Sequence, residues 1–180
     1  VIVEPTLVRD AMRPFVRRAA ARSAEIRERL EARLADIAAG GFERPLTTAA
    51  GRSGIFLYEN GARRALDIHE AEEWAEKGAI GDFSTGVFLR PLAQDYVFPT
   101  AAFVAGPSEI AYWAALKPLY DMFEMKMPVV FPRFSATAIL PAHRRTLEKT
   151  GARPRDAVLD RIPKNDPAEG GGERSHERSH

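Results

Sequence analysis

The sequence has no cysteine among its 180 residues. That absence removes disulfides, thiolate nucleophiles and cysteine metal sites together, and it fits a reducing compartment. Charge of a dominant sign is also missing: 26 basic and 25 acidic residues leave a formal charge of +1. Nothing electrostatic therefore points to nucleic acid or to an anionic membrane, and small-molecule partners are favoured. No apolar run approaches the roughly 20 residues that cross a bilayer, and no charged-then-apolar signal pattern opens the chain, so a cytoplasmic location is expected. Histidine is scarce as well, with four in all. His69 stands alone, and His176 and His180 lie in a polar tail, so no metal site is expected. The chain starts Val1-Ile2-Val3 without methionine, as if at the end of a strand, and closes in a tandem Glu-Arg-Ser-His repeat; a piece of a longer protein is expected.

What is present suits one globular domain, with 45% hydrophobic and 28% charged residues. From Asp10 to Ala39 apolar residues recur in steps of three and four (Met12, Val16, Ala19, Ile26, Leu30, Leu34, Ile37), which predicts a single long amphipathic helix. Asp10 is its expected cap, Pro14 lies near its first turn, and Gly40-Gly41 ends it. Eight arginines lie between Arg9 and Arg33, and five acids (Asp10, Glu25, Glu28, Glu31 among them, Asp36 just after) predict a solvated face with Arg27–Glu31 and Glu25–Arg29 pairs. Gly54 to Ile68 predicts a hairpin around Asn60-Gly61, a pair suited to a type I′ turn. His69 to Lys77 predicts a short helix ended by Gly78, and 81–86 a loop.

The chain is organised around Phe88 to Trp113, FLRPLAQDYVFPTAAFVAGPSEIAYW. Pro91 to Tyr96 predicts a short helix preceded by Arg90. A strand is expected to begin at Phe98-Pro99-Thr100 and to run to Ala105, where Gly106 turns it into a helix over Ser108 to Phe123. Pro118 is expected to kink or restart that helix. Met127 to Phe131 predicts a second strand, parallel to the first across the helix, giving a βαβ unit over 96–133. A last helix is expected over Pro141 to Lys149. From about Arg153 the pattern fails, and 161–180 is expected to be a disordered low-complexity tail. The fold class is therefore α/β, with a partial Rossmann-like parallel sheet, flanking helices and a small β-hairpin. The turn Gly106-Pro107-Ser108 is a candidate anion seat, because the backbone N–H groups at a helix start lack intrahelical partners and carry the positive end of the dipole. A strand-to-helix turn also needs glycine for geometry alone.

Arg90-Pro91-Leu92, Gln94-Asp95, Phe98-Pro99-Thr100, Gly106-Pro107, Glu109-Ile110-Ala111-Tyr112-Trp113, Met127-Pro128 and Pro132-Arg133 together resemble the core signature of the bacillithiol biosynthesis cysteine-adding enzyme family. The similarity extends over about residues 1–160, with Gly86 standing where the family pattern leads one to expect asparagine. The resemblance implies a cytoplasmic ligase with a nucleotidyltransferase-like core that joins cysteine to glucosaminyl-malate, the last step of bacillithiol synthesis. It also implies a coiled coil that pairs two subunits of the full-length protein as a homodimer. On that basis 1–160 is expected to be the central part of the core, and this fragment is expected to be inactive alone.

Joining a cysteine carboxylate to a sugar amine requires an activated acyl group, usually phosphorylated or adenylated in water. ATP is thus the candidate cofactor, and these residues leave it open. The chemistry calls for anion donors and orienting polar groups. Glu109 is the catalytic candidate, as a base or an anchor for the amine, although an acid in a first helical turn also simply suits the dipole. Arg90, Gly106, Pro107, Ser108 and Tyr112 are the substrate-binding candidates. Arg90 and Arg133 could fork onto carboxylates or phosphate, or could tether loops through Asp95 or Glu124. Gln94 and Thr100 suit local backbone groups. Of the adjacent Tyr112 and Trp113, one is expected to reach the pocket and the other the core. The alternative to a ligase is a non-catalytic anion-binding or assembly module.

Overall fold

The computed structural model describes residues 5–78, 81–134 and 136–155. The expected strand at Val1–Val3 and the expected tail at 161–180 lie outside the described residues. The chain divides into two compact units, 1–134 and 135–180.

In the first unit the long amphipathic segment is two helices, α1 (Pro5–Ala20) and α2 (Ser23–Ala39), which corrects the single helix expected from periodicity. Asp10 falls inside α1 and pairs with Arg13 rather than capping a helix start, and Pro14 is internal to α1. The break forms without glycine or proline. The Ser23 hydroxyl, fully buried, donates to the Ala20 carbonyl at 2.8 Å, while Arg22 reaches across to donate to the Met122 carbonyl at 3.2 Å. A local side-chain bond therefore competes with the helical ladder, and burial on both sides of the bend holds it: Phe15, Val16 and Ala19 before it, Ile26, Leu30 and Leu34 after it. Gly40-Gly41 ends α2, with Gly41 at φ 82°. The Arg27–Glu31 and Glu25–Arg29 pairs form. Other arginines of this region are tethers rather than a purely solvated face, since Arg17 donates to the Ala75 carbonyl at 2.9 Å and Arg33 to the Ala114 carbonyl at 3.1 Å.

The hairpin forms as expected from β1 (Arg52–Glu59) and β2 (Ala62–Asp67), with Asn60 and Gly61 both at positive φ. The segment expected to be a loop instead contains β3 (Phe83–Thr85), which pairs antiparallel with β1, so the sheet order is β2-β1-β3. Three residues are too few to display alternation. Between β2 and β3 lies α3 (Ile68–Glu76), capped by a reciprocal pair of bonds between Asp67 and Glu70.

After β3 come α4 (Arg90–Val97), β4 (Ala102–Ala105), α5 (Pro107–Met122) and β5 (Val129–Pro132). β4 and β5 pair in parallel, Ala102 opposite Val129. The mixed α/β class with a small parallel sheet is therefore present, as expected. The strand starts later than expected, at Ala102, because Thr100 is turned aside to donate to the Asp95 carboxylate at 2.6 Å. Pro118 does not interrupt α5. It cannot donate to the Ala114 carbonyl one turn earlier, and Arg33 Nε fills that vacancy. α2 packs on α5 and α1 on α4, around a core that includes Leu30, Leu92, Leu116, Leu119 and Tyr120. The outer face of β4–β5 is apolar and exposed, with Val104, Val129 and Phe131 at 59%, 66% and 62%.

In the second unit the described helix is α6 (Pro141–Thr150), ended as expected by Gly151 in the left-handed region at φ 64°. None of its residues is buried.

Candidate functional site

The site is built where the hairpin meets the start of α4. Gly54 lies in an irregular stretch of β1 at φ 80° and accepts a bond from Gly86 N–H at 2.6 Å. A Cβ on Gly86 would sit 3.0 Å from the Gly54 carbonyl oxygen and 3.1 Å from the Phe56 ring. A side chain at position 86 would press on this close stitch. The Gly86 carbonyl then receives the Arg90 N–H at 3.0 Å, and Pro91, which has no N–H to satisfy, occupies the first turn of α4. Arg90 is thereby delivered beside the hairpin.

Two adjoining cavities result, sharing Arg90, Pro91 and Tyr112. The larger, about 440 Å³, is completed by Phe56, Arg63, Gly86 and Val87. The smaller, about 190 Å³, is completed by Gln94, Asp95, Phe103, Glu109 and Trp113. One is lined by two guanidiniums and no acid; the other carries two carboxylates beside Arg90.

Of the residues expected from sequence, Arg90, Tyr112 and Glu109 come together here. Tyr112 lines both cavities and donates its hydroxyl to the Val87 carbonyl. Burial pushes that phenol up to about 12, with nearby Arg90 opposing the shift, so it remains a neutral donor at physiological pH. Trp113 is the core member of the pair, at 5% exposed, stacked near Phe103 and Tyr120. Gly106, Pro107 and Ser108 line neither cavity. Gly106 N–H donates to the Glu109 carboxylate at 2.7 Å, and the Arg133 guanidinium lies 3.9 Å from the same carboxylate. The Gly106 N–H is thus already accepted by a carboxylate of this chain, with a cation beside the turn. Pro107 and Ser108 are exposed at the helix start.

Among the described residues Arg90 makes no ion pair with Asp95 and Arg133 none with Glu124, in contrast to the tethers that the sequence allows. The Asp95 carboxylate, buried, is taken by Thr100 and by the Tyr120 hydroxyl at 2.5 Å. Burial and then this bond push the Tyr120 hydroxyl well above its ordinary range. Sequence reasoning misses Phe56 and Arg63 altogether and reads Asp95 only as a tether. Arg63 and Arg64 follow the turn as indistinguishable neighbours, and only the pairing of β3 with β1 separates them. Arg64 goes to Glu59 and Glu70, whereas Arg63 goes to Ser84. Among the described residues no group of three or more His, Asp or Glu side chains could hold a metal ion, and no helix is long and apolar enough to cross a membrane.

Residues 2–134 match the family model for bacillithiol biosynthesis BshC, N-terminal Rossmann-like domain. Three relatives, each named "Putative cysteine ligase BshC", illustrate the similarity. The protein of Geobacillus thermodenitrificans is 41% identical over 123 residues, covering 68% of this chain and 22% of the relative. That of Shouchella clausii is 32% identical over 147 residues, covering 73% and 27%. That of Chlorobium phaeobacteroides is 52% identical over 67 residues, covering 37% and 12%. The chain therefore spans about a quarter or less of the length of these relatives.

Proposed function

The chain belongs to the family of BshC N-terminal Rossmann-like domains of bacillithiol biosynthesis, and from that membership we propose that it carries the acceptor side of a cysteine ligase acting on glucosaminyl-malate. The observation that carries this reading is the pair of adjoining cavities of opposite character, joined by Arg90, Pro91 and Tyr112. Glucosaminyl-malate is itself of two kinds, an amine on the sugar and carboxylates on the malyl group. Arg90 is suited to a malyl carboxylate through its planar fork. The Glu109 carboxylate, more exposed than Asp95, whose oxygens are taken by Thr100 and Tyr120, is suited to the amine and is the group to take a proton as that amine becomes an amide nitrogen. Gly106 contributes by holding Glu109 through its N–H. Tyr112, kept protonated by burial, orients rather than exchanges a proton.

Calorimetric titration of glucosaminyl-malate into the 180-residue chain tests the reading. Binding is expected, weakened about tenfold or more by Arg90→Ala through loss of charge-assisted bonds, and less by Glu109→Gln, which keeps the shape. Equal affinity in all three proteins refutes it. A second reading, an assembly module without catalysis, is favoured by the apolar outer face of β4–β5 and is distinguished by no binding of glucosaminyl-malate at all.

A further inference from the structure

We infer that Arg63, on hairpin strand β2, is a second anion-binding residue of the larger cavity, and that with Arg90 it selects a dicarboxylate over a monocarboxylate. The inference rests on the reading of that cavity as the acceptor site.

Arg63 is exposed, and its guanidinium is tethered on the hairpin by three contacts. Its Cζ lies 3.6 Å from the Phe56 ring centroid, its Nε donates to Ser84 Oγ at 2.9 Å, and its Nη2 donates to the Thr85 carbonyl at 3.4 Å. Arg90 Nη2 donates to that same carbonyl oxygen at 3.5 Å. Two like charges thus converge on one neutral acceptor, at the wall of a cavity of about 440 Å³ with no acid in its lining. Neither arginine has a carboxylate partner among the described residues, while the adjacent Arg64 has two. Arg63 Nη1 has no protein acceptor among the described residues. A single carboxylate can neutralise one of the two cations; a ligand with two can neutralise both. Because Phe56, Ser84 and Thr85 already hold Arg63 in place, little ordering cost accompanies binding.

The tethered position also makes the alternative explicit: Arg63 could serve only to hold β2 against β3. The two roles separate by ligand charge. L-malate and L-lactate are α-hydroxy acids that differ by one carboxylate, and their affinities for the chain are measured by calorimetry at low ionic strength. The wild-type chain is expected to prefer malate by about tenfold or more. Arg63→Ala is expected to abolish that preference while changing lactate affinity less than about twofold. Arg63→Met, which keeps aliphatic cover on Phe56 without charge, is expected to do the same, and Arg63→Lys to restore part of the preference. Thermal unfolding of each variant checks the hairpin. If Arg63→Ala and Arg63→Met weaken both ligands by one factor, or leave the malate preference intact, the inference is overturned. If Arg90→Ala still weakens glucosaminyl-malate binding about tenfold or more, the acceptor-site reading survives that failure. Absence of malate binding to the wild-type chain overturns the inference, whereas the acceptor-site reading is decided by glucosaminyl-malate.

Discussion

Arg33→Met is expected to destabilise the first unit through a carbonyl 81 positions away in the chain. α5 runs unbroken from Pro107 to Met122 although Pro118 lies inside it. In a regular helix the N–H of residue 118 would satisfy the Ala114 carbonyl; proline has none, and its ring turns that carbonyl outward. Arg33 Nε supplies the missing donor at 3.1 Å in a part-buried setting. A carbonyl left without a partner there costs about 1–3 kcal/mol, and the remaining solvent access places the expected loss near the lower end, about 1–2 kcal/mol. Methionine keeps much of the aliphatic stem, so packing loss is small. The decisive comparison is a double-mutant cycle with Pro118→Ala, which restores the helical N–H. In that background Arg33→Met is expected to cost only a few tenths of a kcal/mol, giving a coupling of about 1 kcal/mol. Urea unfolding of the four proteins, followed by the fluorescence of Trp74 and Trp113, reads the unit that contains both. Additivity within about 0.5 kcal/mol, the scatter seen for independent sites, would refute the claim that Arg33 satisfies the proline vacancy.

Two further outcomes follow from geometry and titration. Gly54→Ala places a Cβ 2.3 Å from the Phe88 ring at a residue with φ +80°. Overpacking and left-handed strain each cost about 1–3 kcal/mol, so a fall of roughly 2–6 kcal/mol in urea stability is expected, and a loss under about 0.5 kcal/mol would contradict the tight fit of Gly54 against Phe88. Tyr112 titrates from an ordinary 10.0 up to about 12 in the folded chain. The unfolded chain therefore releases this proton first as pH rises, so stability is intact below pH 10.0 and declines toward pH 12. Tyr112→Phe is expected to make that alkaline decline shallower in thermal melts taken across the window; identical slopes would rule the shift out.

The elements with local instructions are legible in the amino-acid sequence. Asn60-Gly61 specifies its hairpin because few residues accept two consecutive positive φ angles, Pro91 marks the start of α4, and Gly151 the end of α6. The run of motif residues from Arg90 to Arg133 specifies the family, and the matched residues 2–134 agree. The bend at Ala21-Arg22 is not legible, since periodicity in steps of three and four continues across it. β3 is not legible either, because three residues become a strand only when β1 offers its edge.

The candidate site divides along the same line. Arg90, Glu109 and Tyr112 are chemically suitable by residue type and position, and the fold gathers them around two joined cavities. Gly106, Pro107 and Ser108 open a helix whose free N–H groups could hold an anion, but the Glu109 side chain already accepts the Gly106 N–H. Local sequence thus determined where the chain turns, which helices begin and end, and which polar groups are available. Tertiary structure decided which of those groups face one another. The Gly54–Gly86 contact, spanning 32 positions, brings Arg63 to Arg90. Such a contact forms only when two distant backbones fit closely, and no spacing within either segment encodes it.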